Sequence, residues 1–231
     1  MDRLMVMAAL LLILAFGTDA PVYAQESEWK TLSDEAELLY RLGSFDRAVV
    51  AAKKALQVAE QAEGFDHLNV AESLNNLAEM YRAQGQFAQA EPLYKRSLVI
   101  WEKTLGPEHP YVATSLNNLA LLYRAQRKYA EAEPLYKRSL VILEKALGPN
   151  DPAVATSLNN LAVLYDNKGQ YAQAEPLYKR SLAIREKALG LEHLDVATSL
   201  SNLAVLYRKT GRDPVAEEIE GRAAAIRAIK R

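Results

Sequence analysis

A five-residue block recurs along the chain at a fixed interval. Leu-Asn-Asn-Leu-Ala begins at Leu74, Leu116 and Leu158, and a weakened copy, Leu-Ser-Asn-Leu-Ala, begins at Leu200. Each copy starts 42 residues after the previous one. A period of roughly 20–50 residues is typical of solenoids, in which each unit buries its apolar face only by stacking on its neighbours. The repeat therefore favours one continuous array with a long surface suited to holding another molecule, rather than an enclosed catalytic pocket.

Each repeat is predicted to be a pair of helices, as residues 70–111 show. A first apolar stripe has the i, i+3, i+4, i+7 spacing of an amphipathic helix and ends at Gly85, a residue suited to a helix C-terminus. The second helix is predicted from near Phe87 to about Thr104, where a Gly-Pro pair stops it. The short connection between the two helices makes them antiparallel. The two stripes are Leu74, Leu77, Ala78 and Tyr81, then Phe87, Ala90, Tyr94, Ser97, Leu98 and Leu105.

The order of residue types in this unit resembles the tetratricopeptide repeat. The matching positions are Leu77, Ala78, Tyr81, Gly85, Ala90, Tyr94 and Ser97. The period of 42 is longer than the roughly 34 residues usual in that family. With Tyr-Lys-Arg-Ser-Leu and Glu-Lys-Ala-Leu-Gly, it is similar to the kinesin light chain type of these repeats. The resemblance covers about Glu28 to Arg231, and it implies an all-α, right-handed α-solenoid of stacked antiparallel helix pairs.

The chain is predicted to divide into a leader and five repeats. The first repeat lacks the Leu-Asn-Asn block, and the last has Asp213 and Glu220 where the second repeat has Phe87 and Tyr94. Polar end repeats are expected to cap a solenoid, and Ile219 to Arg231 is predicted to be the capping helix. The predicted segments are a signal peptide (1–24), a degenerate first repeat (25–69), three full repeats (70–111, 112–153 and 154–195) and a fifth repeat with the capping helix (196–231).

The N-terminus has the pattern of a secretory signal peptide. An apolar run from Leu4 to Phe16 is followed by Val22-Tyr23-Ala24, which predicts cleavage after Ala24 and a mature chain starting at Gln25. The run is shorter than the ~20 residues that span a bilayer, so no stable membrane insertion is expected after cleavage. The alternative is an uncleaved anchor. We expect an exported protein, periplasmic or secreted, and this argues against a cytoskeletal motor subunit.

Charge and composition narrow the classes of partner. Removing residues 1–24 takes away Asp2, Arg3 and Asp19, so 28 basic and 29 acidic residues become 27 of each and the net charge becomes zero. Nucleic-acid binding depends on an excess of Lys and Arg, so no nucleic-acid partner is expected. The absence of Cys excludes thiolate metal sites and cysteine nucleophiles.

The histidines do not suggest a metal centre. His67, His109 and His193 occupy equivalent loop positions in different repeats, and Asp151 takes that position in a further repeat. Such spacing is wrong for a joint metal site and favours a helix-capping or loop role. Because no phosphate loop or nucleophile–base arrangement is readable either, we expect no cofactor and no enzyme activity.

A partner-binding groove is predicted on the first helix of each repeat. An advance of about 100° per residue places one polar flank beside the apolar stripe. The resemblance implies that these helices line a concave face, and that related arrays bind extended peptides there. Amides can donate to and accept from a peptide backbone, and Arg can bind carboxylates bidentately. The predicted groove residues are Asn75, Asn117, Asn159, Asn76, Asn118, Asn160, Arg82, Arg124, Arg208, Thr114, Thr156 and Thr198.

Two alternatives stay open at this point. The asparagines could instead bond to one another between stacked helices and serve only the register of the repeats. Trp101, whose repeat equivalents are Leu143, Arg185 and Arg227, is predicted to be partly exposed, either as an interface anchor or simply across a helix edge.

The sequence therefore predicts an exported scaffold that binds a protein or an extended peptide. The alternatives are a structural protein that self-associates as a weak homo-oligomer, and an accessory subunit of a secreted enzyme or secretion complex.

Overall fold

The computed structural model describes residues 20–63 and 67–229 of the chain. The apolar run of the predicted signal peptide lies outside these residues. The described part is entirely helical and contains no strand, which confirms the predicted all-α class. Its ten helices are α1 (Ala20–Arg41), α2 (Phe45–Glu63), α3 (Leu68–Ala83), α4 (Phe87–Leu105), α5 (Pro110–Ala125), α6 (Tyr129–Leu147), α7 (Pro152–Asn167), α8 (Tyr171–Leu189), α9 (Leu194–Lys209) and α10 (Asp213–Ile229).

The turn between the two helices of a repeat lies where the sequence predicted it. The turn inside the second repeat contains Gly85 at φ 72°, a left-handed conformation that suits glycine. The turn inside the third repeat uses Arg127 instead, at φ 59°. The second helix of the second repeat begins at Phe87 as predicted. Residues Ile219 to Ile229 of the predicted capping helix belong to α10, which begins at Asp213 and is the second helix of the last repeat.

The helices form two compact blocks, an N-terminal block (Met1–Thr104) and a C-terminal block (Leu105–Arg231). In each block, α-helices adjacent in sequence pack in pairs around small and apolar side chains. The buried cluster of the N-terminal block is Ala36, Leu39, Ala48, Val49, Ala51, Ala52, Leu77 and Met80. The main cluster of the C-terminal block is Ala120, Ala132, Tyr136, Leu161, Ala162, Leu164, Tyr165, Ala174, Tyr178, Leu203, Ala204, Leu206, Tyr207 and Ala216.

A buried serine ties the two helices of a pair together. Ser97 Oγ donates to the carbonyl oxygen of Ala71 at 2.7 Å, and the same 2.7 Å bond joins Ser139 to Ala113 and Ser181 to Ala155. All three serines are fully buried. A small side chain at this position lets the two backbones approach, and its hydroxyl satisfies a helix carbonyl without leaving a buried polar atom unpaired.

Successive repeats of the C-terminal block are joined by a tyrosine–glutamate contact. Tyr165 Oη donates to Glu133 at 3.1 Å, and Lys168 Nζ lies 2.6 Å from the other carboxylate oxygen. Hydrogen bonds from Lys137 and Lys168 lower the pKa of Glu133 to about 2. The contact recurs one repeat later, where the hydroxyl of Tyr207 and the guanidinium of Arg212 bond to Glu175.

Ion pairs between second helices add a further link between repeats. Arg96 pairs with Glu60 at 2.6 Å in the N-terminal block. In the C-terminal block, Arg180 pairs with Glu144 and Arg222 with Glu186, each at 2.6 Å. These pairs are partly exposed, so each contributes little by itself. The two pairs of the C-terminal block join the same neighbouring repeats as the tyrosine–glutamate contacts.

The prediction that Trp101 is partly exposed is wrong. Its side chain is only 6% exposed, and its repeat equivalents Leu143 and Arg185 are buried as well. Arginine is tolerated at this position because its guanidinium reaches acceptors on α9, namely Ser199 Oγ at 2.8 Å and the carbonyl of Asp195 at 3.2 Å. Burial lowers the pKa of Arg185, as expected for a cation that is hydrogen-bonded only to neutral groups.

Candidate partner-binding site

The first helices of the C-terminal block, α5, α7 and α9, lie side by side and are joined by asparagines. Asn160 Nδ2 donates to Asn117 Oδ1 at 3.0 Å, and Asn202 Nδ2 donates to Asn159 Oδ1 at 2.9 Å. In each bond the second asparagine position of one repeat meets the first position of the preceding repeat. These asparagine–asparagine bonds are the ones that the register alternative predicted. Each uses one of the two N–H donors of one amide and one of the two acceptor positions of the other. A role of the same amides in holding a ligand stays a prediction.

The predicted threonines bond within their own helices. Thr114 Oγ1 donates to the carbonyl of Pro110 at 3.2 Å, and Thr156 and Thr198 make the equivalent bonds to Pro152 and Leu194. All three are exposed. Since each hydroxyl proton is committed to the turn below, the threonines present an oxygen that can accept a bond from a ligand but not donate one.

The structure separates the three predicted arginines. Arg82 bonds to Glu79 on its own helix, with Nε 2.8 Å from Oε2. Arg208 is bidentate to Glu220 of α10, at 2.9 and 2.6 Å. Arg124 is half-buried and makes no ion pair with any described residue of its block. Of the three, Arg124 is therefore the one whose guanidinium is not neutralised by a neighbouring carboxylate.

An acidic residue stands on α7 at the position that Arg124 holds on α5. The side chain of Asp166 is 10% exposed, and its Oδ2 pairs with Lys209 Nζ at 2.6 Å. Its Oδ1 is buried and has no hydrogen-bond partner among the described residues. Burial raises the pKa of Tyr178, the charge of Asp166 raises it further, and Arg124 opposes the rise. Arg124, Asp166 and Tyr178 thus form one electrostatic group beside the asparagine contacts.

Aliphatic side chains run alongside this polar group. Leu121 and Val163 are half-buried and pack against the main cluster of the C-terminal block, and Val205 is exposed one repeat further on. These three residues occupy the same position in successive repeats. The face therefore combines apolar contact area, acceptor oxygens and one unpaired cation, which is the mixture found at protein-binding surfaces.

The N-terminal block has a cleft on the equivalent face. Its volume is about 310 Å³, and it lies between α1 and α3. Its lining residues are Ser33, Glu37, Tyr40, Arg41, Asn76, Glu79 and Met80. Asn76 is the one predicted groove residue among them. The sequence analysis did not predict the lining residues of α1, because the first repeat lacks the Leu-Asn-Asn block. The 42-residue period could have identified two of them, since Glu37 and Tyr40 lie 42 positions before Glu79 and Arg82.

Glu79 is the centre of the polar network in this cleft. Tyr94 Oη donates to it at 2.8 Å and Tyr40 Oη at 3.2 Å, in addition to the bonds from Arg82. Burial alone would raise the pKa of Glu79, but the hydrogen bonds and positive charge of Arg82 outweigh burial and lower it. With its oxygens already used, Glu79 holds the two helices of its repeat against α1 and has little capacity left for a ligand.

The loop histidines cap helices, as predicted. Nδ1 of His67, His109 and His193 each accepts from the backbone N–H two residues later, at 3.3, 3.2 and 3.1 Å respectively. Asp151 Oδ1 does the same for Ala153 at 2.8 Å. Each side chain satisfies one otherwise unpaired N–H at a helix start. Across residues 20–63 and 67–229, no three His, Cys, Asp or Glu side chains converge in a way that could hold a metal ion.

None of the helices in the described part of the chain is both long and apolar enough to cross a membrane.

Comparison with solved structures finds close matches to the fold. BtubC (BKLC) from P. vanneervenii is 29% identical, with a TM-score of 0.77 over 94% of this chain and 85% of that chain. A putative kinesin light chain with nearly identical TPR-like repeats from Podosopora anserina is 28% identical, with a TM-score of 0.71 over 87% of this chain and 96% of that chain. A Rap protein complexed with Competence and Sporulation Factor shares the fold at 19% identity, with a TM-score of 0.76 over 87% of this chain and 54% of that chain.

No curated protein sequence matches the chain at a significant level. The tetratricopeptide repeat family does match, in overlapping segments over residues 30–99, 70–145, 116–187 and 167–228. Together these segments cover nearly all of the described helices. The chain therefore belongs to the tetratricopeptide repeat family, and its repeats are of the kinesin light chain-like type rather than those of an unrelated solenoid.

Proposed function

We propose that the protein is an exported scaffold that binds a protein or an extended peptide across the first helices of the C-terminal block. Proteins of this family generally mediate protein–protein interactions and are generally non-catalytic. The observation that carries the proposal for this chain is Arg124, a half-buried cation with no carboxylate partner in its block. A half-desolvated guanidinium is stabilised when a partner supplies a carboxylate.

The surroundings of Arg124 suit an extended chain. Leu121 lies one helical turn before it and supplies apolar area, while the Asn117–Asn160 pair keeps unused amide donors and acceptors. A bound backbone could use those amides without requiring a particular sequence, and the guanidinium would fix its position along the face. The equivalent arginines differ in that Glu79 and Glu220 already occupy them.

A capture experiment with matched variants tests this proposal. The purified protein is used as bait for proteins of its native compartment, and the captured partner is then titrated against Arg124→Ala and Arg208→Ala. We expect Arg124→Ala to weaken binding by at least about tenfold, a loss of ~1.4 kcal/mol, and Arg208→Ala to leave it within about threefold. Equal effects of the two variants, or none, would contradict the assignment to Arg124.

Export is part of the same proposal. The signal-peptide pattern over residues 1–24 supports it. Helix α1 begins at Ala20, so cleavage after Ala24 would remove its first five residues and leave the start of the helix to form from Gln25 onward. Mass spectrometry of the protein purified from its native host should give an N-terminus at Gln25 and recover it outside the cytoplasm. Recovery of a chain that begins at Met1 would contradict cleavage.

A further inference from the structure

Four large apolar side chains of the first described helix pair and its turn are exposed. Leu42 is 69% exposed and Val50 is 55% exposed, and Leu38 and Phe45 are exposed nearby. We call these four residues the end face. A group of large exposed apolar side chains on a folded protein often marks an interaction surface. Four large exposed apolar side chains within thirteen residues therefore need an explanation.

A cleft adjoins the end face. Its volume is about 280 Å³, and it lies between α1 and α2. Leu32, Leu39, Val50 and Ala51 form its apolar lining, and Glu35, Asp46, Arg47 and Lys54 form its charged lining. An apolar centre surrounded by charged groups is the usual anatomy of a protein–protein interface.

The end face lacks the group that joins one repeat to the repeat before it. Leu39 occupies the position of Tyr165 and Tyr207, whose hydroxyls donate to Glu133 and Glu175 of the preceding repeats. Leu39 has no hydroxyl, and it is buried in the cluster of its own block. The face is therefore not built to receive another repeat of the same kind.

The charges around the cleft are of both signs, two acidic and two basic. Glu35, Arg47 and Lys54 form no ion pair with any described residue of the N-terminal block, and Asp46 accepts a hydrogen bond only from the neutral Gln84. A two-fold interface brings a surface against a copy of itself, so a patch of one sign would repel its copy. A patch with equal numbers of both signs can pair each acid with a base of the other copy.

We propose that the end face is a homodimer interface, in which two copies meet through Leu38, Leu42, Phe45 and Val50 around a two-fold axis. The charged residues at the cleft would pair across the interface, with Glu35 and Asp46 of one copy opposite Arg47 and Lys54 of the other. This proposal does not depend on the binding of a partner at Arg124.

Sedimentation of the protein recovered from its native compartment, at about 1–100 µM, tests the interface. The variant is Leu42→Glu with Val50→Glu. The matched control is Val99→Glu with Val141→Glu, which changes two comparably exposed valines on α4 and α6. We expect a concentration-dependent dimer for the wild type and the control, and at least a tenfold weaker dimer for the end-face variant. Circular dichroism confirms that both variants stay helical.

Three outcomes overturn the proposal. One is a wild type that stays monomeric throughout this range. Another is a dimer that the end-face variant forms as well as the wild type does. The third is a monomeric wild type that captures a different protein through Leu42 and Val50, which would assign the end face to another polypeptide. Since Arg124 lies in the other block, loss of peptide binding in Arg124→Ala with an intact dimer separates failure of one proposal from failure of the other.

Discussion

The amide nitrogen of Asn160 lies 3.0 Å from the amide oxygen of Asn117, so the second asparagine of one repeat donates to the first asparagine of the repeat before it. The two side chains are half-buried, and the bond spans the contact between α5 and α7. A bond at this point limits how far one helix can shift along the other, because a shift of one helical turn, about 5.4 Å, would carry the amides out of reach.

This bond should be visible as an energetic coupling. Asn117→Ala and Asn160→Ala should each lower the free energy of unfolding by ~1 kcal/mol, since each leaves a half-buried amide without its partner. The double variant should cost clearly less than the sum, with a coupling of ~0.5–1.5 kcal/mol. Urea unfolding of the four proteins measures it, with the exposed Asn167→Ala as the control. Additive effects would show that the bond contributes nothing to register.

The packing of Ala90 predicts a penalty for a larger side chain. Ala90 is a fully buried residue of α4, the helix that the Ser97–Ala71 bond holds close to α3. Ala90→Leu should therefore lower stability by ~1–3 kcal/mol through overpacking. Ala88→Leu, two residues earlier on the exposed side of the same helix, should change it by less than ~0.5 kcal/mol. Thermal unfolding followed by circular dichroism separates the two, and equal shifts in Tm would refute the packing argument.

Replacing two glycines by alanine should change the free energy of unfolding in opposite directions. Gly169 has φ 72° in the turn between α7 and α8, and a Cβ added there would meet nothing within 4 Å. Gly169→Ala should therefore cost ~1–2 kcal/mol through backbone strain alone. Gly221 lies inside α10 with equally open surroundings, and Gly221→Ala should stabilise by ~0.5–1 kcal/mol. Chemical denaturation measures both, and a loss of stability in both would point to a cause other than helix propensity.

Arg127 tests the effect of backbone strain in the opposite direction, by replacing a strained residue with glycine. It holds φ 59° at the turn position where the second and fourth repeats have glycine. Arg127→Gly should relieve the left-handed strain, and the gain should stay below ~1 kcal/mol because glycine also loses more chain entropy on folding. A destabilised variant would mean that the arginine side chain makes a contribution larger than its strain.

Acid should weaken the contacts between repeats in the C-terminal block. Hydrogen bonds from Arg212 and Lys179 lower the pKa of Glu175 to about 2, below the value near 4.5 of the unfolded chain. The stabilisation is therefore complete above pH ~4.5 and is lost as the pH falls from there towards 2. Glu175→Gln should flatten the fall of Tm over this interval, whereas the exposed Glu131→Gln should leave it unchanged. If the Tm of Glu175→Gln fell with acid as steeply as the Tm of the wild type, this account would be contradicted.

Much of the fold follows from local rules that a single chain displays. The i, i+3, i+4 spacing of Leu74, Leu77 and Ala78 and the turn at Gly85 are enough to place a helix and its end, because each depends on neighbours within one or two turns. The capping of helices by His109 and Asp151 was predictable for the same reason, since an N-cap acts on a backbone N–H only two residues away.

What sequence reasoning missed depends on partners far along the chain. Arg185 can be buried because Ser199 Oγ and the carbonyl of Asp195 accept hydrogen bonds from its guanidinium. The sequence around position 185 does not reveal these acceptors, which lie on the next helix. The difference between Arg124 and Arg208 is of the same kind. Both occupy the same repeat position, and only the placement of Glu220 on α10 decides that one is neutralised and the other is not.

The tyrosine–glutamate contact has a consequence for how such a chain can change length. Tyr207 and Glu175 are 32 residues apart, as are Tyr165 and Glu133, so the fourth repeat carries the donor for the third repeat and the acceptor for the fifth. A duplication or deletion of whole 42-residue blocks would leave each hydroxyl opposite a carboxylate. An insertion or deletion of any other length would leave a glutamate without its tyrosine at the contact between two repeats. Gain and loss of complete repeats is therefore the least disruptive route by which the array could lengthen or shorten over generations.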